Sequence, residues 1–313
     1  MIKMYNTDIN TNITEETKDL KKGNWINMIS PTEEEIQRVC AALQIKQDFI
    51  RYSLDEEEKA RIDTEDDDNT TLYIIDIPVI ESDRTRRVYV TMPIGVIFVR
   101  DDYIITVSQK NNDIIKDIKT ENVITYKKSR FLLQILYSNA SMYLNLLKKI
   151  NKETEIAESI LKNSMKNRAL LKLLNLEKSL VYFTTSLKSN EVVMEKTMRG
   201  KIIKLYEEDE DILEDSIIEN KQAIEMAKIY SDILSGTMDT YASIISNNLN
   251  AVMKILTSVT FILAIPTLIA SIWGMNVELP FQREPLGFLI ITVFSIIMCI
   301  VATIWLKRKR MLN

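Results

Sequence analysis

Ile255 to Trp273 is a run of 19 residues without a formal charge, and Leu286 to Leu306 is a second run of 21. At 1.5 Å rise per residue, a helix of either length spans roughly 28–32 Å, the thickness of a bilayer's hydrocarbon core. A buried helix of a globular protein normally carries some charge over that distance, so both runs are expected to cross a membrane, over about 252–275 and 286–306. Only about a dozen residues, Gly274 to Pro285, separate them, too few for a folded outer domain. Lys307-Arg308-Lys309-Arg310 follows the second run and predicts a cytoplasmic C-terminus. With two spans, the N-terminus then lies in the cytoplasm too. Residues 1–24 are polar and lack the apolar core of a secretion signal, so no cleavable leader is expected.

Charge divides along the same line. Residues 251–313 hold six basic and two acidic side chains, which leaves 34 basic and 42 acidic ones in residues 1–250. The large N-terminal part is therefore acidic, which gives no support to nucleic-acid binding. The chain has no histidine, so His-based catalysis and His-containing zinc sites are excluded. Its two cysteines, Cys40 and Cys299, lie in a helical-looking segment and in the second apolar run, which excludes a disulfide framework. No phosphate loop, nucleophile elbow or CxxC occurs, so neither an enzyme nor an organic cofactor is expected.

Residues 1–120 read as a cytoplasmic α/β domain. Asn24 to Ile29 is a strand candidate, and Ser30-Pro31-Thr32-Glu33 reads as a capping box with proline at N1 of a helix to about Leu43. Thr71–Ile80, Arg87–Val99 and Tyr103–Ser108 suggest antiparallel strands carrying helices, with Asp101-Asp102 as a turn. Asp63 to Asp68 lacks the glycine and the terminal glutamate of a calcium loop and reads as a solvated loop. From about Asp113 the pattern is helical, and residues 121–250 form a cytoplasmic helical region. Its last helix runs from about Glu207 without a break into the first span, roughly 100 Å in all, and needs neighbours or copies of itself. Residues 251–313 complete a pore domain. The class expected is an α+β cytoplasmic domain, long stalk helices and two C-terminal transmembrane helices.

Along the first span, Met253, Leu256, Thr260, Ala264, Thr267, Ser271 and Gly274 recur at steps of three and four and share one helix face. Beyond its two large residues that face is small or polar. It suits close helix packing or the lining of a pore, and the residues alone leave both open. Acids at Glu207–Asp211 and Glu214-Asp215 either solvate a helix start or serve as a divalent-cation sensor built between subunits, with Asp211, Glu214 and Asp215 as candidate ligands.

Trp273-Gly274-Met275-Asn276 closes the first span, and Gly-Met-Asn at that place resembles the signature of the CorA family of magnesium channels. Asn250, the segment Met253 to Thr257, Asp232 to Gly236, Asp239, Tyr241 and Ser246-Asn247 resemble the family's stretch around the cytoplasmic end of its pore helix. Glu278 fits its acidic outer loop, and Trp25-Ile26 its first strand. Trp273 stands where the family usually has tyrosine, and Ala264 where a bulky methionine can narrow the pore. Asp215 falls on a regulatory position, whereas the partner region reads Arg51-Tyr52.

The resemblance implies a funnel-shaped homopentamer in the plasma or inner membrane, passing hydrated Mg²⁺ passively under the membrane potential with feedback from cytoplasmic Mg²⁺. It assigns the selectivity filter to Gly274, Met275, Asn276 and Glu278. Asn250 and the stripe from Met253 to Ser271 line the pore, with Met253 and Leu256 as an apolar gate. Lys254 and Lys307, Arg308, Lys309 and Arg310 form a basic collar, with Asp239 to offset it. Two other readings stand beside this one: transport of zinc, cobalt or nickel by the same fold, and a membrane-anchored helical scaffold without transport.

Overall fold

The computed structural model describes residues 1–65, 69–83, 86–100, 102–120, 123–163, 167–199, 202–276 and 286–312. The chain divides into two compact units, Met1–Ser235 and Gly236–Asn313.

The first unit is built on one sheet of seven strands. In chain order they are β1 (Ile2–Thr7), β2 (Thr14–Thr17), β3 (Asn24–Ile29), β4 (Arg61–Glu65), β5 (Thr70–Asp83), β6 (Arg86–Val99) and β7 (Tyr103–Ser108). The spatial order is β2-β1-β3-β7-β6-β5-β4, and only the central β3–β7 pair is parallel. The three strands expected from the sequence are antiparallel neighbours, with Ile74 opposite Gly95 and Val96 opposite Thr106. Two further strands, β1 and the edge strand β2, arise within the polar residues 1–24, where polar side chains hid the alternation. The acidic run is not all loop: Asp63 to Glu65 belong to edge strand β4, with Asp63 opposite Leu72, and Asp66 to Asp68 lie outside the described residues. Asp102 sits in a turn before β7, and Asp101 lies outside the described residues.

Helices cover both faces of the sheet, which explains why its inner strands read as nearly unbroken apolar runs. On one face, Ile26, Met28, Leu72, Ile74, Ile97, Val99, Ile105 and Val107 pack on α1 (Glu33–Leu43) and α2 (Gln47–Tyr52). The cap of α1 lies two residues beyond the expected box: Thr32 Oγ1 accepts from the Glu35 amide, and Glu35 accepts from the Thr32 amide. Ser30 takes a left-handed φ of 43°, so Ser30 and Pro31 lead into the helix instead of opening it. Gly95 lets α2 approach β6, since a Cβ there would collide with the buried Ser53 hydroxyl.

The opposite face carries the alternate residues Trp25, Tyr73, Ile75, Ile77, Ile94, Val96 and Phe98. They meet α3 (Asp113–Thr120), α4 (Lys128–Asn163), α5 (Asn167–Arg199) and the start of α6 (Glu207–Trp273). Trp25 packs edge-on to Phe131 of α4 at 5.0 Å, and its indole N–H donates to Thr106 Oγ1 at 2.8 Å. Asp76 sits opposite Pro93, which has no N–H to give. Its carbonyl instead accepts from Asn139 (3.0 Å), Asn190 (2.7 Å) and Tyr143 (3.2 Å), and its amide donates to Asn190 Oδ1. These bonds fasten α4 and α5 to the sheet.

The second unit holds the C-terminal part of α6 and α7 (Gly287–Arg308), with the short segment after it. Both helices are long and apolar enough to cross a membrane.

Candidate functional site: the polar stripe of α6 and its outer end

Along the apolar part of α6, from 250 to 273, the least exposed side chains are Ser258, Ile262, Ile265, Pro266, Ile269 and Trp273, spaced along one face. On α7 the matching set is Gly287, Ile291, Ser295, Cys299, Ala302 and Leu306. These two faces form the intrachain contact. Small residues on α7 at steps of three and four let the backbones approach closely.

The stripe read from the sequence lies elsewhere. Asn250, Met253, Leu256, Thr260, Ala264, Thr267, Ser271 and Gly274 are all exposed. At 3.6 residues per turn they fall on the side of α6 opposite the α7 contact. The stripe is therefore not the face that packs against the chain's own second span. Two of its hydroxyls are turned back onto the helix, Thr260 donating to the Leu256 carbonyl at 2.9 Å and Thr267 to the Leu263 carbonyl at 3.0 Å. That satisfies each hydroxyl's proton and leaves oxygen lone pairs facing outward.

The C-terminal end of the stripe is an exposed turn. Helix α6 stops at Trp273, the Gly274 amide reaches back to the Ala270 carbonyl at 2.9 Å, and the Met275 amide to the Ile272 carbonyl at 3.2 Å. Any Cβ at Gly274 would stand 3.3 Å from the Ala270 oxygen, tighter than ordinary contact, so glycine suits this tight exit. Met275 and Asn276 follow, both exposed. Glu278 lies outside the described residues.

At the other end, Lys254 is exposed on α6 one turn before Ser258. Ser258 is fully buried, and its hydroxyl donates to the Met311 carbonyl at 3.3 Å. The chain after α7 turns at Arg310, with φ of 56°, and comes back against α6. Lys307, Arg308, Lys309 and Arg310 therefore share the Lys254 end of this helix pair. Sequence reading missed the Ser258 hook, whose signal is a lone hydroxyl on an otherwise apolar contact face. Asp239 is exposed too, but 15 residues from Lys254, roughly 22 Å along the helix, so the two do not pair within one chain.

Asp211, Glu214 and Asp215 are exposed on α6 in the first unit. Among the described residues no three acids or cysteines converge as a metal-holding group. Asp215 borders a groove of about 880 Å³ beside Tyr137 of α4. The Tyr137 phenol is pushed above its ordinary value, first by the Glu219 carboxylate, with burial and Asp215 adding to it.

The family described as "CorA-like Mg2+ transporter protein" matches residues 21–308. The chain belongs to this family. It is similar to the cobalt/magnesium transport protein CorA of Methanocaldococcus jannaschii, 29% identical over 296 residues that cover 91% of this chain and 90% of that one. The corresponding CorA protein of Thermotoga maritima is 28% identical over 204 residues, covering 61% and 55% of the two chains. The complete structure of the M. jannaschii CorA magnesium transporter superposes with a TM-score of 0.82 at 25% identity, covering 98% of each chain. The α/β fold, the long helices and the two C-terminal apolar helices thus belong to a membrane transporter of the CorA family.

Proposed function

We propose that the chain forms a homopentameric Mg²⁺ channel in which the stripe of α6 lines a central pore and Gly274-Met275-Asn276 forms its outer mouth. One observation carries the reading: the polar stripe leads away from the α7 contact and ends at that exposed turn. Two spans cannot enclose water, so a pore needs several copies, and cyclic symmetry turns the same face of each copy toward the axis. The close similarity to CorA chains supports a funnel-shaped assembly with both termini cytoplasmic. Five is the number that the resemblance implies.

Mg²⁺ gives up its water reluctantly and prefers a near-ideal octahedron. A ring of Asn276 carboxamide oxygens suits the hydrated ion, and Glu278 would concentrate cations outside. Met253 and Leu256 form an apolar constriction that closes by dewetting. Ala264 leaves the middle of the stripe wide. Lys254 and the cluster Lys307–Arg310 form a cationic collar at the inner end. The membrane potential drives entry passively, about 4.6 kcal/mol per divalent ion at 100 mV. Cytoplasmic Mg²⁺ bound between the acidic N-terminal parts of neighbouring subunits closes the ring.

The experiment is influx into liposomes containing the purified protein, measured for Mg²⁺, Co²⁺, Ni²⁺ and Zn²⁺ in parallel. Mg²⁺ entry that follows an imposed potential supports the proposal. Entry of another divalent ion alone reassigns the cargo, and no flux of any ion leaves the spans as an anchor only.

A further inference from the structure

A second feature lies wholly within the first unit. A cavity of about 840 Å³ opens between the end of the sheet, the first turn of α4 and the segment leading into α6. Its apolar wall includes the buried Phe98 together with Ile202 and Ile203, and the exposed rings of Tyr126 and Tyr206 stand at its edge. Around it are five cations, Arg100, Lys127, Lys128, Arg130 and Lys204, and three acids, Glu207, Glu208 and Asp209, so cations exceed acids by two.

Their placement runs against helix electrostatics. A helix N-terminus carries partial positive charge and favours acids. Helix α6 follows that rule with four acids in its first turn, whereas α4 has none and opens Lys128-Ser129-Arg130 directly after Lys127. Arg130 is answered by Glu208 at 3.0 Å and Asp209 at 3.5 Å. Arg100, Lys127 and Lys204 pair with no carboxylate among the described residues. Arg100 donates to the neutral Gln44 amide at 3.2 Å, and the Lys204 ammonium stands 5.4 Å from the centre of the Tyr206 ring. Three uncompensated cations, a helix start and aromatic walls meet at one cavity of small-ligand size.

We propose that this cavity binds a ligand bearing a di- or triphosphate group. The phosphate oxygens would be held by Lys127 at the start of α4, where backbone N–H groups also favour an anion, with Lys204 and Arg100 reaching in from the other walls. The exposed rings of Tyr126 and Tyr206 offer flat apolar surface to a ring attached to the phosphates, which points to a nucleoside as the carrier. The exposed Asn69 and the half-buried Thr71 on the same wall can meet its polar edge.

The test is calorimetric titration of the intact protein in detergent, in divalent-free buffer at fixed ionic strength. ADP, ATP, inorganic tripolyphosphate and sulfate are compared up to millimolar concentration. Saturable binding of ATP or tripolyphosphate, but not sulfate, is expected. Lys127→Gln combined with Lys204→Gln should weaken it at least about tenfold. Arg100→Gln, on the other wall, should weaken it as well. These side chains are exposed, and an unchanged circular-dichroism spectrum checks that each variant folds. If ATP binds more tightly than tripolyphosphate, the carrier is a nucleoside; equal binding assigns the site to inorganic polyphosphate. The absence of saturable binding, or binding that the lysine variants leave unchanged, overturns the proposal.

Discussion

Cys299 of α7 donates its thiol hydrogen to the carbonyl of Ile262, at 3.7 Å, and Ile262 is the residue that Pro266 deprives of its helical partner. A proline inside a helix has no N–H to give to the carbonyl four residues back. In hydrocarbon no water can replace that donor, so a neighbouring helix has to supply one. Pro266 and Cys299, 33 residues apart, therefore form one structural unit in the second half of the chain.

This pairing is testable by a double-mutant cycle. Cys299→Ala should lower stability by about 0.5–1 kcal/mol, in the range of interhelical hydrogen bonds in membranes. Cys299→Ser should preserve it. In a Pro266→Ala background, where the residue at 266 again carries an N–H, the cost of Cys299→Ala should largely vanish. Thermal unfolding in detergent reads all four corners of the cycle. An equal cost in both backgrounds would show that Cys299 only fills space.

Much of this molecule was readable because its strongest signals are one-dimensional. Uninterrupted apolar runs marked both spans, and steps of three and four marked the stripe. Val- and Ile-rich stretches marked β5, β6 and β7. The parts missed depend on partners distant in sequence. Strand β1 exists because β3 offers it a ladder, and the polar edge strand β2 because β1 then offers it another. The parallel β3–β7 pair joins segments about 80 residues apart, beyond the reach of local pattern. Asp76 looked like one more strand residue, and only the fold brings Asn139, Tyr143 and Asn190 to it. Which side of α6 meets α7 could not be told from α6 alone, since Ser258 and Thr260 are equally hydroxylated but point to opposite sides.

Burial raises the Asp76 carboxyl from its ordinary 3.8 to about 6, only partly offset by a hydrogen bond with Ser186. Between those values the folded chain keeps a proton that the unfolded chain releases. The stabilisation from this group is therefore full below about pH 3.8 and is lost as pH rises through about 6. The amount is roughly 2–3 kcal/mol. Asp76→Asn should remove that pH dependence and stabilise the protein at neutral pH. Unfolding midpoints across pH 4 to 8 check it, and an unaltered slope in the variant assigns the dependence to other groups.

At the outer end of the stripe, Asn276→Ala should abolish Mg²⁺ uptake without disturbing assembly. The side chain is exposed, so no packing is lost with it. Size-exclusion chromatography establishes assembly and liposome influx establishes transport. Normal influx through a correctly assembled variant removes Asn276 from the selectivity role.

At the inner end, Leu256 is exposed on the stripe one turn before Thr260. A ring of leucines closes a narrow pore by excluding water, and a polar ring cannot. Leu256→Asn should therefore raise the resting leak at high internal Mg²⁺. A leak equal to that of the unchanged protein would place the barrier at Met253 or in the collar of Lys254 and Lys307–Arg310.

The acids at the start of α6 bear on feedback. Asp211, Glu214 and Asp215 are exposed, and among the described residues of one chain they do not converge into a metal-holding group. A divalent ion there needs carboxylates from a neighbouring copy. The excess of acids in residues 1–250 makes close approach of copies repulsive, and a cation between them offsets that repulsion. Binding then favours the tightly packed ring, and its stabilisation rises with the logarithm of free Mg²⁺ above the dissociation constant. Replacing all three, as Asp211→Asn, Glu214→Gln and Asp215→Asn, removes charge with little change of shape. The variant should need more Mg²⁺ for the same protection against proteolysis, and its transport should be less inhibited by internal Mg²⁺. If the protection curve stays where the unaltered protein puts it, the three carboxylates only solvate the first turns of α6, and feedback resides elsewhere in the chain.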